Sequence, residues 1–124
     1  MTKPNYVKML YVDDESMNLR VFKAHFSKVY ELLTAPNGEL GLATLLMNPD
    51  INIVFSDFQM PGMNGVEFIR KAKQIQPGIK CFLLTCSNLT PEIQAALDSQ
   101  LVLKLFRKPY VKEHIIKTLN ETVI

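Results

Sequence analysis

The sequence has little excess charge of either sign, few cysteines and no long apolar run. Its 14 basic and 12 acidic residues give a formal net charge of +2, which is too small to indicate nucleic-acid binding. No apolar stretch approaches the roughly 20 residues of a membrane-spanning helix, and none follows the charge near the N-terminus as in a secretory signal. We therefore expect a cytoplasmic protein that contacts neither nucleic acid nor membrane directly.

Cysteine and histidine are also scarce, with two of each. Cys81 and Cys86 flank an apolar run typical of a strand, and we expect both to be reduced core residues rather than a disulfide. His25 and His114 show no metal-ligand spacing. These absences disfavour both a disulfide scaffold and a metal centre built from cysteine and histidine.

The length and composition indicate one globular domain. The chain has 124 residues, of which 48% are hydrophobic and 21% charged, so it can bury a core of its own. It is too short for an α/β barrel, which needs about 250 residues. We expect a single domain over residues 1–124, with its core over about residues 6–122.

Short apolar runs alternate along the chain with helical patterns. Runs that are apolar almost throughout are typical of parallel strands covered on both faces. The predicted strands are Val7–Val12, Leu32–Ala35 with the residues just before it, Ile51–Phe55, Ile79–Leu84 and Val102–Phe106. The helical repeats are Leu19, Phe22 and Phe26; Leu40, Ala43 and Met47; Val66, Ile69 and Ala72; Ile93, Ala96 and Leu97; and Val111, Ile115 and Leu119.

The order of these elements predicts an α/β fold. Ser16 is a plausible cap of the first helix, and Thr90 followed by Pro91 is a typical helix start. A strand followed by a helix occurs five times, with about 25 residues per unit. Strands that alternate with helices form a doubly wound parallel sheet with right-handed crossovers. We therefore predict a five-stranded (βα)5 domain.

Polar residues follow four of the five predicted strands, and the carboxyl ends of parallel strands are where such sheets carry their sites. These residues are Asp13 and Asp14 after strand one, Asp57 after strand three, Thr85 after strand four and Lys108 after strand five. Carboxylates placed together repel one another unless a cation lies among them. Oxygen ligands of this kind suit Mg²⁺, and a carboxylate can also attack phosphorus to give an aspartyl-phosphate.

With these motifs the sequence resembles the receiver domain of bacterial two-component response regulators, over about residues 6–122. The motifs are Asp13-Asp14, Asp57, Met60-Pro61, Met63-Asn64-Gly65, Thr85 and Lys108-Pro109, in that order. The combination is highly specific, although each motif is weak alone. The resemblance implies a flavodoxin-like sheet with strand order 2-1-3-4-5.

The resemblance also implies roles for the residues at the strand ends. Asp57 is expected to accept a phosphoryl group from a sensor histidine kinase or a histidine phosphotransfer protein. Mg²⁺, for which Mn²⁺ could substitute, is expected to be bound by Asp14, Asp57 and the backbone carbonyl of Gln59. Asp13 is expected to assist directly or through water.

Further roles follow from the resemblance for the last two strands. Lys108 is expected to pair with the phosphoryl group, Thr85 to hydrogen-bond it, and Pro109 often to be cis in this family. Phosphorylation is then expected to change the surface built by the fourth helix, fifth strand and fifth helix. The downstream effector, or a fused output domain, is not specified by the sequence.

Three positions depart from the family pattern. Leu105 stands where the family usually has an aromatic residue, and the neighbouring Phe106 should point to the opposite face of its strand. The stretch 101–104 replaces the common small-residue turn and is one residue longer. Cys86 stands where a smaller residue is common, either narrowing access to Asp57 or acting as a small apolar filler.

The sequence argues against three alternative functions. A phosphatase with an aspartyl-phosphate intermediate would need an acid/base aspartate at the position of Gln59. A flavin or nucleotide module would need a phosphate-binding loop where Asp13-Asp14-Glu15 would repel phosphate. A pseudo-receiver that only binds partners would not need the complete set of groups. We therefore expect a signalling switch and not an enzyme, beyond its own phosphorylation and slow self-dephosphorylation.

Overall fold

The computed structural model describes residues 7–86 and 88–123, in which five parallel strands alternate with five helices. The strands are β1 (Lys8–Val12), β2 (Glu31–Ala35), β3 (Ile53–Ser56), β4 (Lys80–Thr85) and β5 (Lys104–Arg107). The helices are α1 (Ser16–Phe26), α2 (Gly38–Met47), α3 (Gly65–Ile75), α4 (Pro91–Asp98) and α5 (Lys112–Val123). The sheet order β2-β1-β3-β4-β5 confirms the predicted fold. Residue 6, where the expected core begins, lies outside the described residues.

Alternate residues of each strand face two separate apolar layers, as the period of two in a strand requires. One layer lies between the sheet and helices α2, α3 and α4, and the other between the sheet and helices α1 and α5. The first layer takes Leu10, Val12, Val54 and Leu83 from the sheet. The second takes Met9, Tyr11, Phe55, Phe82 and Phe106. No helix within the described ranges has the length and apolarity to cross a membrane.

Hydrogen bonding continues past the strand ends and fixes where the chain leaves the sheet. Val12 pairs with Ser56, and the next residue, Asp57, donates its N–H to the Val12 carbonyl over 2.9 Å. Similarly, the Lys108 N–H donates to the Thr85 carbonyl over 3.1 Å. The backbone therefore places Asp57 and Lys108 at the same edge of the sheet.

Helix capping agrees with the sequence at Thr90 and disagrees at Ser16. The Thr90 hydroxyl accepts the Ile93 N–H over 3.1 Å, with proline directly after the cap. Ser16 is instead the first residue of α1, and the cap position is Glu15, whose side chain makes no capping bond. The reason is local, because the Glu15 N–H is bound by the Asp13 side chain and this contact sets the turn.

Two boundaries near the C-terminus also differ from the prediction. β5 begins at Lys104 rather than Val102, because the Val102 N–H bonds back to the Ala96 carbonyl and leaves the sheet ladder. Val102 is nevertheless fully buried, so its apolar character predicted burial rather than strand. Val111 precedes α5 and is 62% exposed, since the helix buries Ile115 instead.

The apolar repeat of α2 predicted the helix but does not mark its buried face. Leu40 and Met47 are 51% and 82% exposed, whereas Gly41 and Leu45 face the core. The helix is apolar on all sides, so periodicity alone could not choose its buried face. The glycine decides, because a Cβ at position 41 would lie 2.8 Å from the Phe68 ring and only glycine permits that approach.

Candidate functional site

Three carboxylates meet at the edge of the sheet where β1 and β3 end. One oxygen each from Asp13, Asp14 and Asp57 lies within 4.8 Å of the others. Asp13 is fully buried and Asp57 is 8% exposed, whereas Asp14 is exposed to solvent. The structure thus brings together the acidic residues that the sequence predicted would converge.

Asp13 is the most extensively hydrogen-bonded member of this group. Its Oδ2 atom accepts from the Tyr11 hydroxyl over 2.5 Å, from Lys108 Nζ over 2.6 Å and from Asn18 Nδ2 over 3.2 Å. Its Oδ1 atom accepts the Glu15 N–H over 3.0 Å. Because a buried carboxylate is costly without such partners, these bonds satisfy both oxygens of Asp13 and fix its orientation.

Asp57 accepts fewer hydrogen bonds than Asp13 and lines an open cleft. Its Oδ1 atom accepts the Phe58 N–H over 2.8 Å, the Thr85 hydroxyl hydrogen-bonds it, and Lys108 Nζ lies 3.7 Å from Oδ2. Burial raises the pKa of Asp57 above its ordinary value of 3.8, and the charge of Lys108 opposes that rise. The carboxylate of Asp57 therefore lines the cleft and has the ammonium of Lys108 beside it.

The cleft above Asp57 has a volume of about 390 Å³ and is called the acidic cleft below. Its wall includes Asp14, Asn18, Gln59, Thr85, Cys86 and Lys108. The expected residues after β3, β4 and β5 thus share one cavity with Asp14. Gln59 is exposed at its rim.

The donor set of this site suits a hard divalent cation. All three side chains of the acidic group offer oxygen, which Mg²⁺ prefers over nitrogen or sulfur. Lys108 supplies one positive charge against three carboxylates, so the formal charge of the group is negative and attracts a cation. An acidic cluster with the chemistry of a magnesium site is therefore present.

The two cysteines have different positions. Cys81 is buried in β4 as expected, and burial raises the pKa of its thiol to about 12. Cys86 is exposed at the wall of the acidic cleft, so the expectation that it is a core residue was wrong. The cause is that β4 ends at Thr85, and the next residue lies beyond the sheet.

The expected arrangement of β5 is confirmed. Phe106 is buried in the layer of α1 and α5, whereas Leu105 packs against the layer on the opposite face. The Lys108–Pro109 peptide bond is cis, as the resemblance implied. Leu105, not an aromatic side chain, therefore occupies the face of β5 toward α4.

Sequence reasoning missed Tyr11 as a neighbour of the site. Residues two apart in a strand share a face, so Tyr11 lies on the same side as Asp13. The phenol ring is buried against Phe22, with ring centroids 4.2 Å apart, and its hydroxyl reaches the carboxylate. The available signal was the single aromatic residue of β1, two residues before the first aspartate.

The fold and the residues at its strand ends allow the chain to be assigned to a domain family. Residues 9–120 match the sequence model of the family described as "Response regulator receiver domain". The match covers most of the 124 residues. The chain belongs to the response regulator receiver domain family.

Relatives and solved structures agree with that assignment. The chain is 26% identical over 115 residues to the hydrogenase transcriptional regulatory protein HoxA of Cupriavidus necator, covering 93% of this chain and 24% of HoxA. It is 27% identical over 116 residues to a chemotaxis protein CheY homolog of Campylobacter jejuni, covering 88% of this chain and 89% of that protein. The crystal structure of chemotaxis protein CheY4 of Vibrio cholerae is similar with a TM-score of 0.83 and 25% identity, covering 96% and 99% of the two chains. The chain thus spans about a quarter of the length of some relatives and most of others.

Asp57→Asn is expected to raise the free energy of unfolding at neutral pH in the presence of EDTA. Because the pKa of Asp57 is raised by folding, its proton stabilises the folded state at low pH, and this contribution is lost as the pH rises through the folded pKa. The advantage of the variant should therefore shrink as the pH is lowered. Denaturant titrations across pH measure this, with the exposed Glu121→Gln as a control for charge. A variant less stable than wild type at neutral pH would contradict it.

Proposed function

We propose that this domain accepts a phosphoryl group on Asp57 from the phosphohistidine of a sensor kinase or phosphotransfer protein. The observation that supports it is the placement of Asp57 in the acidic cleft, with its carboxylate oxygen 3.7 Å from Lys108 and close to Asp13 and Asp14. The proposed nucleophile, Asp57, therefore lies next to the groups that would stabilise charge on a transferred phosphoryl group.

Asp14 and Asp57 are proposed to bind Mg²⁺ together with the backbone carbonyl of Gln59, while Asp13 binds directly or through water. Mn²⁺, which also prefers oxygen ligands, is expected to substitute. The ion would supply positive charge between the carboxylates and the incoming phosphoryl oxygens. Asp13 already uses both of its oxygens in hydrogen bonds, which favours the contact through water for this residue.

In the proposed reaction an ionised oxygen of Asp57 attacks the phosphorus atom of phosphohistidine. The new O–P bond forms as the P–N bond breaks, and the imidazole leaves with the electron pair of that bond. Lys108 moves from Asp13 toward a phosphoryl oxygen, and the Thr85 hydroxyl turns from the carboxylate to another. These movements link the site to the surface of α4, β5 and α5.

The domain is proposed to act as a switch in the cytoplasm rather than as an enzyme with a separate substrate. Its chemistry would be limited to its own phosphorylation and slow self-dephosphorylation. Gln59 lines the cleft where a phosphatase of this chemistry would carry an acid, and an amide cannot transfer that proton. The reaction partner is a protein with a phosphorylated histidine.

Incubation with Mg²⁺ and a small phosphodonor is expected to add one phosphoryl group to the intact protein. Mass spectrometry of the protein and of its peptides should place the group on Asp57 and find none on Asp57→Asn. EDTA should prevent the reaction, because the charge of the acidic cluster is then not neutralised. Equal labelling of Asp57→Asn, or no labelling of wild type, would contradict the proposal and favour a domain that acts by binding alone.

A further inference from the structure

Lys108 must leave a buried partner if it is to contact a phosphoryl group. Its ammonium lies 2.6 Å from Asp13 Oδ2 and 3.7 Å from Asp57 Oδ2, so its closer ion pair is with Asp13. Asp13 is fully buried. Removing one partner of a buried ion pair is strongly unfavourable when nothing replaces it, because the remaining charge has lost its solvation.

Two other donors are already bound to the same oxygen. The Tyr11 hydroxyl and the Asn18 amide both donate to Asp13 Oδ2, the former over 2.5 Å and the latter over 3.2 Å. Tyr11 is the stronger candidate, since its ring is fully buried and stacked on Phe22. Hydrogen bonds to a charged acceptor are about twice as strong as bonds between neutral groups.

We propose that Tyr11 is a positioning residue for the phosphorylated state, because its hydroxyl keeps Asp13 Oδ2 hydrogen-bonded when Lys108 leaves that oxygen for the phosphoryl group. The inference rests on the proposed function and adds a residue to it. The phenolic hydroxyl carries a hydrogen that it can donate to the carboxylate, and its buried ring holds it at this position. Without the hydroxyl, Asp13 would also hold Lys108 more tightly, which opposes the same movement.

Tyr11→Phe removes the hydroxyl and keeps the ring that packs on Phe22. The matched control is Tyr30→Phe, because the buried Tyr30 hydroxyl has no hydrogen-bond partner among residues 7–86 and 88–123. Its ring stacks on Phe26 in the same apolar layer. Asn18→Ala is the second variant, at a partly exposed position that donates to the same oxygen. It keeps the test valid if the change at Tyr11 prevents folding.

The measurement compares two affinities by calorimetry, one for Mg²⁺ alone and one for beryllofluoride, a phosphoryl mimic, at saturating Mg²⁺. Tyr11→Phe should bind beryllofluoride about tenfold more weakly, as expected for the loss of a hydrogen bond to a charged group. Its affinity for Mg²⁺ alone should stay close to wild type, because Lys108 remains on Asp13 in that state. Asn18→Ala should show a smaller loss, and Tyr30→Phe none.

Three other outcomes of these affinity measurements would overturn the inference, and they can be told apart. Equal beryllofluoride affinity for Tyr11→Phe and wild type would mean that the hydroxyl does not support the movement of Lys108. Parallel losses for Mg²⁺ and beryllofluoride would mean a general structural role. If wild type binds no beryllofluoride and gains no phosphoryl group on Asp57, the proposed function fails as well, and this pattern differs from a failure at Tyr11 alone.

Discussion

Lys108→Gln is expected to slow phosphorylation of Asp57 by a small donor by roughly a hundredfold, the usual effect of removing one preorganised stabilising group. The ammonium is the cation next to both Asp57 and Asp13, at 3.7 Å and 2.6 Å from their oxygens. Glutamine retains a hydrogen-bond donor of similar reach but no charge, so it cannot neutralise charge that develops on the transferred group. Time courses of phosphoprotein formation, followed by intact mass at saturating Mg²⁺, measure the rate.

Lys104→Gln is the matched control for this change. Lys104 is the first residue of β5, the strand that Lys108 follows, and its removal lowers the net charge equally. Its ammonium contacts His114 and the Phe106 ring rather than the acidic cleft. We expect nearly wild-type phosphorylation from it. If both variants are slowed equally, the effect comes from overall charge. If Lys108→Gln reacts at the wild-type rate, the pairing seen at the site is not used in the reaction.

Gly65→Ala is expected to lower the free energy of unfolding by about 3 kcal/mol, at the upper end of the range for overpacked sites. A Cβ at this position would lie 2.2 Å from the Asp57 carbonyl oxygen and 3.0 Å from Leu83 Cδ2. The first contact is with backbone, so the loop after β3 or the start of α3 must shift. The Gly65 N–H also bonds to the Phe58 carbonyl over 2.8 Å, which ties that helix to the loop carrying Asp57.

The same shift should slow phosphorylation, by up to about a hundredfold if the carboxylate moves by an ångström. Gly78→Ala is the control, because an added Cβ there meets no atom within 4 Å in the part of the chain that the structure describes, and the backbone does not have a positive φ. Its stability should stay within about 0.5 kcal/mol of wild type. Denaturant unfolding and phosphorylation kinetics on both variants test this. A Gly65→Ala protein with wild-type stability and rate would show that the loop tolerates the side chain.

The sequence predicted most of the site because a parallel sheet turns sequence order into position. Once strands are recognised by their apolar runs, the residue that follows each of them must lie at the carboxyl edge. Asp13, Asp57 and Lys108 were located in this way, and the structure places them within ion-pair or ligand distance of one another. The resemblance to receiver domains added the expected chemistry, and the fold did not require it.

Local sequence patterns gave wrong details where the same pattern is compatible with two different placements of a residue. The apolar residues of α2 surround the helix, so the repeat that includes Leu40 and Met47 does not coincide with the buried face, and both residues are exposed. Ser16 is as good a capping residue as many others, but the adjacent turn is set by the Asp13 side chain. Cys86 follows an apolar strand, but only the end of β4 shows that it lies outside the core.

The order of residues along the chain is sufficient to predict the alternation of strands and helices, the parallel sheet and the set of polar residues at its edge. Period and order along the chain carry that information. The partner of each charged group, in contrast, is visible only in the folded chain. Lys108 pairs more closely with Asp13 than with Asp57, and Tyr11 shares that oxygen, because contacts between strands depend on side-chain reach and burial across the sheet.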